Sequence, residues 1–225
     1  MDELKERIGI AAASLVEDGT VIGLGTGSTA VCFIQALARR YETEGLNIVT
    51  VSSSYASEHL ARDLGLPFVS IDAIESIDVT FDGADEIDPK KQIIKGAGGA
   101  LLREKILATS SRELVVLVDE SKLVETLGKA KLPVEVVQFG HRLTAYKLSH
   151  FATSITLRTR GDGNPYVTEN QHFIYDLQLK EPVTDAKALD QKLRTIAGVV
   201  ETGLFYEVAG RIVIGYRDGT IKLLS

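Results

Sequence analysis

The sequence predicts an α/β protein: an open, mainly parallel sheet flanked by helices, followed by a smaller α+β unit. Three observations predict it. Helix-like and strand-like segments alternate from the N-terminus to about residue 118. The strand-like runs there are short and nearly all apolar, as strands buried on both faces must be. Beyond Lys122 the strand-like runs alternate apolar with polar residues instead, the mark of a sheet with one wet face. A chain of 225 residues suits one large domain or a domain with a smaller companion.

Taken in order, a helix over 2–18 carries Leu4, Ile8, Ala11, Ala12, Leu15 and Val16 on one face, and Gly19 stands where it should stop. A strand over 20–25, a Gly/Thr/Ser loop and a helix over 28–41 come next. A strand over 47–51 leads to a helix opening near Ser54, with Glu58, His59 and Arg62 on its polar face. Further strands are expected at 68–71, 78–81 and 113–118, with a helix over 99–109 before the last. The second unit reads as a strand over 133–137, a helix over 141–151, strands over 154–159 and 172–179, and a helix over 185–196. The turn Asp162-Gly163-Asn164-Pro165 joins its two alternating strands. Apolar strands around Leu204 and Ile212 end the chain, with Asp218-Gly219 turning a last hairpin. The domains expected are 1–128 with 206–225, and 129–205.

Composition excludes several classes. Apolar residues make up 44% of the chain and no apolar run approaches the roughly 18 to 20 residues that span a bilayer. The first segment mixes charges through its apolar positions and has no small-residue cleavage site, so it does not read as a signal peptide, and a cytoplasmic address is expected. Cys32 is the only cysteine; it forms no internal disulfide, assembles no thiolate metal site and is expected to serve packing. A net charge of -6 without a Lys/Arg run argues against a nucleic-acid surface. An anionic ligand would therefore need a local cation.

Four motifs carry candidate chemistry. Gly23-Leu24-Gly25-Thr26-Gly27-Ser28-Thr29 lies between a strand and a helix, where glycines admit a ligand to the backbone and helix N-terminal amides attract phosphate. It lacks the third glycine of a dinucleotide fingerprint and the Gly-Lys-Ser/Thr of a nucleotide P-loop, although a tight turn capped by Ser28 would read the same. Asp82-Gly83-Ala84-Asp85-Glu86-Ile87-Asp88 sets four carboxylates at the carboxyl end of a buried strand, where open α/β sheets bind ligands; the alternative is a solvated acidic loop. No calcium-loop spacing accompanies it, and His59, His141, His150 and His172 show no ligand spacing, so no metal is expected. Lys95-Gly96-Ala97-Gly98-Gly99 presents a lysine on a glycine loop, and Glu104 falls one turn into the next helix, near its positive end. Alone, Arg103-Glu104-Lys105 is an ordinary charged helix face. Asp119-Glu120-Ser121-Lys122 sets a lysine at another strand end. All four are expected to follow strands of one sheet and to converge on one crevice.

In this order and at these separations, GLGTGST, SSS, DGADEID, KGAGGALLREK and DESK resemble the ribose-5-phosphate isomerase type A family. The resemblance extends to Leu132-Pro133-Val134-Glu135-Val136, Gly198-Val199-Val200 and Gly203-Leu204-Phe205, and so covers essentially the whole chain. It implies a Rossmann-like catalytic domain with a ferredoxin-like lid, no cofactor, a sugar-phosphate substrate, and a homodimer or dimer of dimers without nucleic acid or membrane. Thr26, Gly27, Ser28 and Thr29 with Lys122 would surround the substrate phosphate, with Lys5 of the first helix added to them. Asp82, Asp85 and Lys95 would hold the sugar and its reacting oxygens, with Gly83, Ala84, Gly96, Ala97 and Gly98 lining their loops. Glu104 matches the family's base. The chain departs from the pattern at Ala97, where many relatives have glycine; at Thr168-Glu169-Asn170-Gln171, in place of Asp-Asn-Gly-Asn; and at Tyr55 after the serines.

The chemistry implied is proton transfer between adjacent carbons through an enediolate. Glu104 would take the C2 proton of the open-chain aldose and return it at C1, Lys95 would stabilise the oxyanion, and Asp82 would assist ring opening and proton exchange between oxygens. Two rival readings exist. A sugar-phosphate effector domain of a transcription regulator would need a DNA-binding partner, and no helix-turn-helix fits before Gly19. An acyl-CoA transferase with Glu104 as nucleophile would leave the phosphate loop unexplained.

Overall fold

The computed structural model describes residues 3–225, so the expected helix start at Asp2 lies outside the described residues. The elements run α1 (Glu3–Ala13), β1 (Val21–Leu24), α2 (Ser28–Glu44), β2 (Val49–Ser52), α3 (Tyr55–Asp63) and β3 (Ile77–Gly83). Two short strands, β4 (Glu86–Ile87) and β5 (Ile93–Ile94), precede α4 (Leu101–Ser110) and β6 (Ser111–Asp119). Then come β7 (Leu132–Val136), α5 (His141–Leu148), β8 (Ala152–Leu157), β9 (Phe173–Leu179), α6 (Ala186–Arg194), β10 (Val199–Thr202) and β11 (Leu204–Phe205). The hairpin of β12 (Ala209–Gly215) and β13 (Ile221–Leu224) closes the chain.

These elements pack as two units, 3–84 with 103–122 and 208–225, and 85–102 with 123–207. In the first, the sheet order is β13-β12-β6-β3-β1-β2, parallel except for the edge hairpin. Read from the other edge, its parallel strands follow the order 2-1-3-4-5 of a doubly wound sheet, whose direction of winding reverses between β1 and β3. Ile22, Leu24, Phe81, Val115, Leu117 and Val213 from the strands meet Ile8, Phe33 and Leu37 from α1 and α2 in one buried cluster. Phe33 stacks on Phe81 with centroids 4.3 Å apart, and burying each such ring contributes about 1.5–3 kcal/mol. The two helices cross closely because Gly9 has no side chain: a Cβ there would lie 2.5 Å from the Cys32 carbonyl carbon. Cys32 itself is buried.

In the second unit the chain runs β7-α5-β8-β9-α6-β10, and the antiparallel sheet is ordered β10-β7-β9-β8, the ferredoxin-like arrangement. Leu148 of α5 and Leu193 of α6 join Leu132, Val134, Leu177 and Leu179 in its core. A separate three-stranded sheet, β11-β5-β4, belongs to the same unit.

Three expectations need correction. The strand at 68–71 is a single parallel bridge from Phe68 to Thr50, followed by a 3-10 turn over Ile71–Ala73. Pro67 offers a carbonyl to Thr50 but has no N–H for a ladder, and Ser70 caps the turn through the Asp72 amide. The first helix ends regularly at Ala13; Leu15 and Val16 continue it only through i to i−3 bonds. The domain boundary drawn at 128/129 does not coincide with the packing. Residues 85–102 hold β4 and β5, which pair with β11, and Ile87 bridges to Leu123, so these segments go with the second unit.

Candidate active site

In the first unit, the winding of the sheet reverses between β1 and β3, and at that point their two carboxyl-end loops meet. Asp82, 1% exposed at the end of β3, accepts through Oδ1 from the Thr26 amide at 3.1 Å and the Gly83 amide at 2.8 Å. The approach depends on Gly25, where a Cβ would lie 2.2 Å from the same Oδ1. Gly27 then takes φ 108° as the N-cap of α2 and makes no side-chain cap. Ser28 is therefore the first helical residue rather than the cap, and it is exposed with Gly27 at the helix's positive end.

Hydroxyls brace this loop from the next strand. Thr26 Oγ1 lies 2.8 Å from Ser53 Oγ and donates to Ser54 Oγ at 2.9 Å, while Ser57 Oγ donates to the Gly25 carbonyl at 2.6 Å. Ser54 also caps α3 through the Ser57 amide. Tyr55, the next residue, carries the Arg103 guanidinium over its ring at 4.6 Å, which sets the first turn of α4 beside the first turn of α3. Glu104 follows Arg103 in that turn and is 3% exposed. It shares a helix face with Leu107, which packs on Val51 and Ile77 of the sheet. Ile77 begins β3, so the turn holding Glu104 lies toward the carboxyl ends of the strands, the edge that carries Asp82.

The same edge holds the candidate cations of this unit. Asp119 Oδ1 accepts from the Ser121 amide at 2.8 Å, which winds the chain after β6 into the short turn Glu120–Lys122. Lys5 is half-buried in α1, beside Leu4. A Cβ on Gly215 would meet Leu4 at 2.9 Å, and Gly215 pairs with Asp119, so Lys5 belongs to the same end of the sheet.

In the second unit, Lys95 follows β5 rather than a strand of the main sheet, which corrects the expectation of one sheet behind all four motifs. Its amide donates to Gly203 O at 2.9 Å, and its Nζ lies 5.7 Å from the Phe205 ring centroid; the side chain is 3% exposed. Gly96 takes φ 108° and Gly99 φ 86°, while Ala97 is not among the residues with positive φ. Alanine is thus unstrained at 97. Asp85 Oδ2 accepts from the Ala97 amide at 3.0 Å. Among the described residues no group of three His, Cys, Asp or Glu side chains is placed to hold a metal, and no helix is long and apolar enough to cross a membrane.

The family model for ribose 5-phosphate isomerase A (phosphoriboisomerase A) matches residues 49–219. The chain is 46% identical over 225 residues to the ribose-5-phosphate isomerase A of Streptococcus thermophilus, covering 100% of this chain and 99% of the relative. The chain belongs to the ribose 5-phosphate isomerase A family. The fold agrees: the family's enzyme from Methanocaldococcus jannaschii superposes with a TM-score of 0.93 at 37% identity, over 100% of this chain and 99% of that one. A D-ribose-5-phosphate isomerase in complex with phospho-erythronic acid superposes with a TM-score of 0.94 at 36% identity, over 100% of this chain and 98% of that one. The activity is that of an aldose-ketose isomerase of the pentose phosphate pathway, acting on ribose 5-phosphate.

The serine hydroxyls at 53, 54 and 57, which brace the Gly25-Thr26 loop, have no role assigned by the motifs of the sequence. Ser53 and Ser54 belong to the SSS run at the carboxyl end of a parallel strand and Ser57 follows one turn later, a pattern that also describes an ordinary helix cap.

Proposed function

We propose that isomerisation here runs through an enediolate with Glu104 as the base. Glu104 removes the C2 proton of open-chain ribose 5-phosphate and delivers it to C1, giving ribulose 5-phosphate. Lys95 and the amides of the Gly96-Ala97-Gly98 loop stabilise the oxyanion that develops on the reacting oxygens, and Asp85 orients that loop. Asp82, beside the Gly83-Ala84 backbone, assists ring opening and carries the proton that leaves O2 to O1, so that the aldehyde at C1 becomes a hydroxyl as the hydroxyl at C2 becomes a ketone. The phosphate sits on Thr26, Gly27, Ser28 and Thr29 at the start of α2, with Lys122 and Lys5 supplying charge. Binding that remote dianion gives positioning energy for a small substrate.

The observation that carries this reading is the contact of Asp82 with the Thr26 amide at 3.1 Å, which joins the acidic motif to the phosphate loop at the point where the sheet reverses its winding. The phospho-erythronic acid bound by a relative supports it too, because a carboxylate next to a hydroxylated carbon has the planar oxygens of one end of an enediolate. No metal takes part in the proposed steps. Activity measured on ribose 5-phosphate after exhaustive EDTA treatment is expected to be unchanged; loss of turnover restored by a divalent ion would favour a metal-assisted hydride shift.

The chain is further read as a cytoplasmic homodimer or dimer of dimers. A buried lone thiol suits a reducing compartment, and Phe139, Leu143 and Tyr146 are 94%, 74% and 71% exposed on and before α5, more apolar surface than one helix usually offers to water. Light scattering that gives the mass of a single chain would contradict the assembly.

A further inference from the structure

The Lys95 loop has three glycines in five residues, and two of them hold positive φ. Such a segment has much conformational freedom to lose, so an ordered loop needs outside restraint. Within the second unit that restraint comes from the stretch that follows β8. Arg158 Nη1 donates to Gly96 O at 2.9 Å and to Ala97 O at 3.1 Å. The guanidinium is itself held on its other edge by Asp176 of β9, with Nε 3.0 Å from Oδ2 and Nη2 on Oδ1. Both side chains are largely buried, at 15% and 16% exposure, so this forked pair is fixed rather than waving in solvent. Eight residues on, the Tyr166 hydroxyl packs where a Gly99 side chain would stand, 2.4 Å from the position of its Cβ.

The peptide bond turns this clamp into a statement about the loop's donors. In a trans peptide the C=O of one residue and the N–H of the next point in opposite directions. Holding the Gly96 and Ala97 carbonyls on Arg158 therefore turns the Ala97 and Gly98 amides to the opposite side. The Ala97 amide goes to Asp85, and the Gly98 amide is set alongside it. We propose that Arg158 is a positioning residue for the isomerisation: it fixes the Gly96-Ala97-Gly98 peptides so that Lys95 and the Gly98 amide meet the developing oxyanion in a preorganised array. Arg158 touches no reacting atom. It acts through the loop, and it rests on the reading that assigns that loop to the substrate oxygens.

The test compares Arg158→Ala, Arg158→Lys and Lys95→Ala, each checked for a cooperative thermal transition. Misplacing donors by an ångström costs on the order of 100-fold in rate, so Arg158→Ala is expected to lower kcat by roughly 10- to 100-fold. KM for ribose 5-phosphate should stay close to wild type, because the phosphate loop belongs to the other unit. N-ethylguanidinium added to the alanine variant should restore kcat several-fold, a response that a merely structural defect would not give. Arg158→Lys keeps a charge beside Asp176 but lacks the fork that serves two carbonyls, so it too should lose kcat without KM; it decides the matter if the alanine variant does not fold. A folded variant at 158 with wild-type kcat, or a loss that ignores guanidinium and appears in KM, overturns the inference. Wild-type kcat in Lys95→Ala would instead overturn the reading of the loop on which it rests.

Discussion

Asp82 accepts two backbone amides on one oxygen while 1% exposed, and Gly25 is the residue that lets the chain come that close. Conserving that geometry requires both residue types, which is why motif reading found them together. Lys122 stands differently: a lysine at a strand end is usually solvated, and its proposed phosphate contact rests on its place after β6, where Asp119 winds the turn. Lys122→Ala should raise KM for ribose 5-phosphate by the equivalent of about 1.5–3 kcal/mol with little change in kcat. Steady-state kinetics check this, and an unchanged KM removes Lys122 from the phosphate contacts. Arg158 was not legible at this scale. A single arginine after an alternating strand has the pattern of an exposed face, and its partners, Gly96 O and Asp176, lie far from it in sequence.

Among elements, long periodic segments were readable and two of the three two-residue strands were not. Helices α2 and α6 declare themselves by apolar spacing and flanking caps, Gly45 after one and Asp185 before the other. A strand is legible around Leu204, where β11 lies, but β4 and β5 are too short to show any period, so the sheet they form with it behind Lys95 is not legible. The turn between Thr168 and His172 holds a non-glycine residue in the left-handed region. Gln171 holds φ 65° there, while its amide donates to Thr168 O at 2.9 Å. A left-handed conformation costs a non-glycine residue about 1–2 kcal/mol, partly offset by glycine's greater unfolded entropy. Gln171→Gly should therefore stabilise the protein by up to about 1 kcal/mol, read as a rise in Tm; a fall would mean the side chain contributes more than the strain.

A tyrosine bonded to the middle of α6 gives an alkaline signature. Tyr206 donates to Asp190 Oδ2 at 3.0 Å, and burial, reinforced by that hydrogen bond, pushes its phenol from an ordinary 10.0 up to about 12. Between those values the unfolded chain has released the proton and the folded chain keeps it, so the unfolded state binds fewer protons and stability falls as pH rises. That stability is present in full below pH 10. Tyr206→Phe should flatten the decline of Tm over this window, though not abolish it, because Tyr166 and Tyr175 are also raised by burial. An unchanged slope would take Tyr206 out of the alkaline transition.

For the whole molecule, a chain with net charge -6 acts on a sugar phosphate, so attraction has to be local rather than an overall field, and the proposed reading assigns it to a helix N-terminus and a few placed lysines. The sheet order explains why motifs separated by scores of residues could be read as one site, since β1 and β3 are neighbours at the point where the winding reverses. The two-unit division was only partly legible, because residues 85–102 leave the main sheet through strands with no sequence period. The central claim concerns Glu104, buried in the first turn of α4. Glu104→Gln preserves volume and hydrogen bonding but removes the group that carries a carbon-bound proton. The most direct measurement is kcat together with solvent deuterium incorporation into ribulose 5-phosphate for wild type and Glu104→Gln. The account predicts near-normal substrate binding, a kcat lower by at least roughly 100- to 10,000-fold and a matching loss of deuterium entry. A folded Glu104→Gln enzyme that keeps more than about a tenth of the wild-type kcat, well above what survives loss of a general base, would contradict it and leave Asp82 as the next base to test.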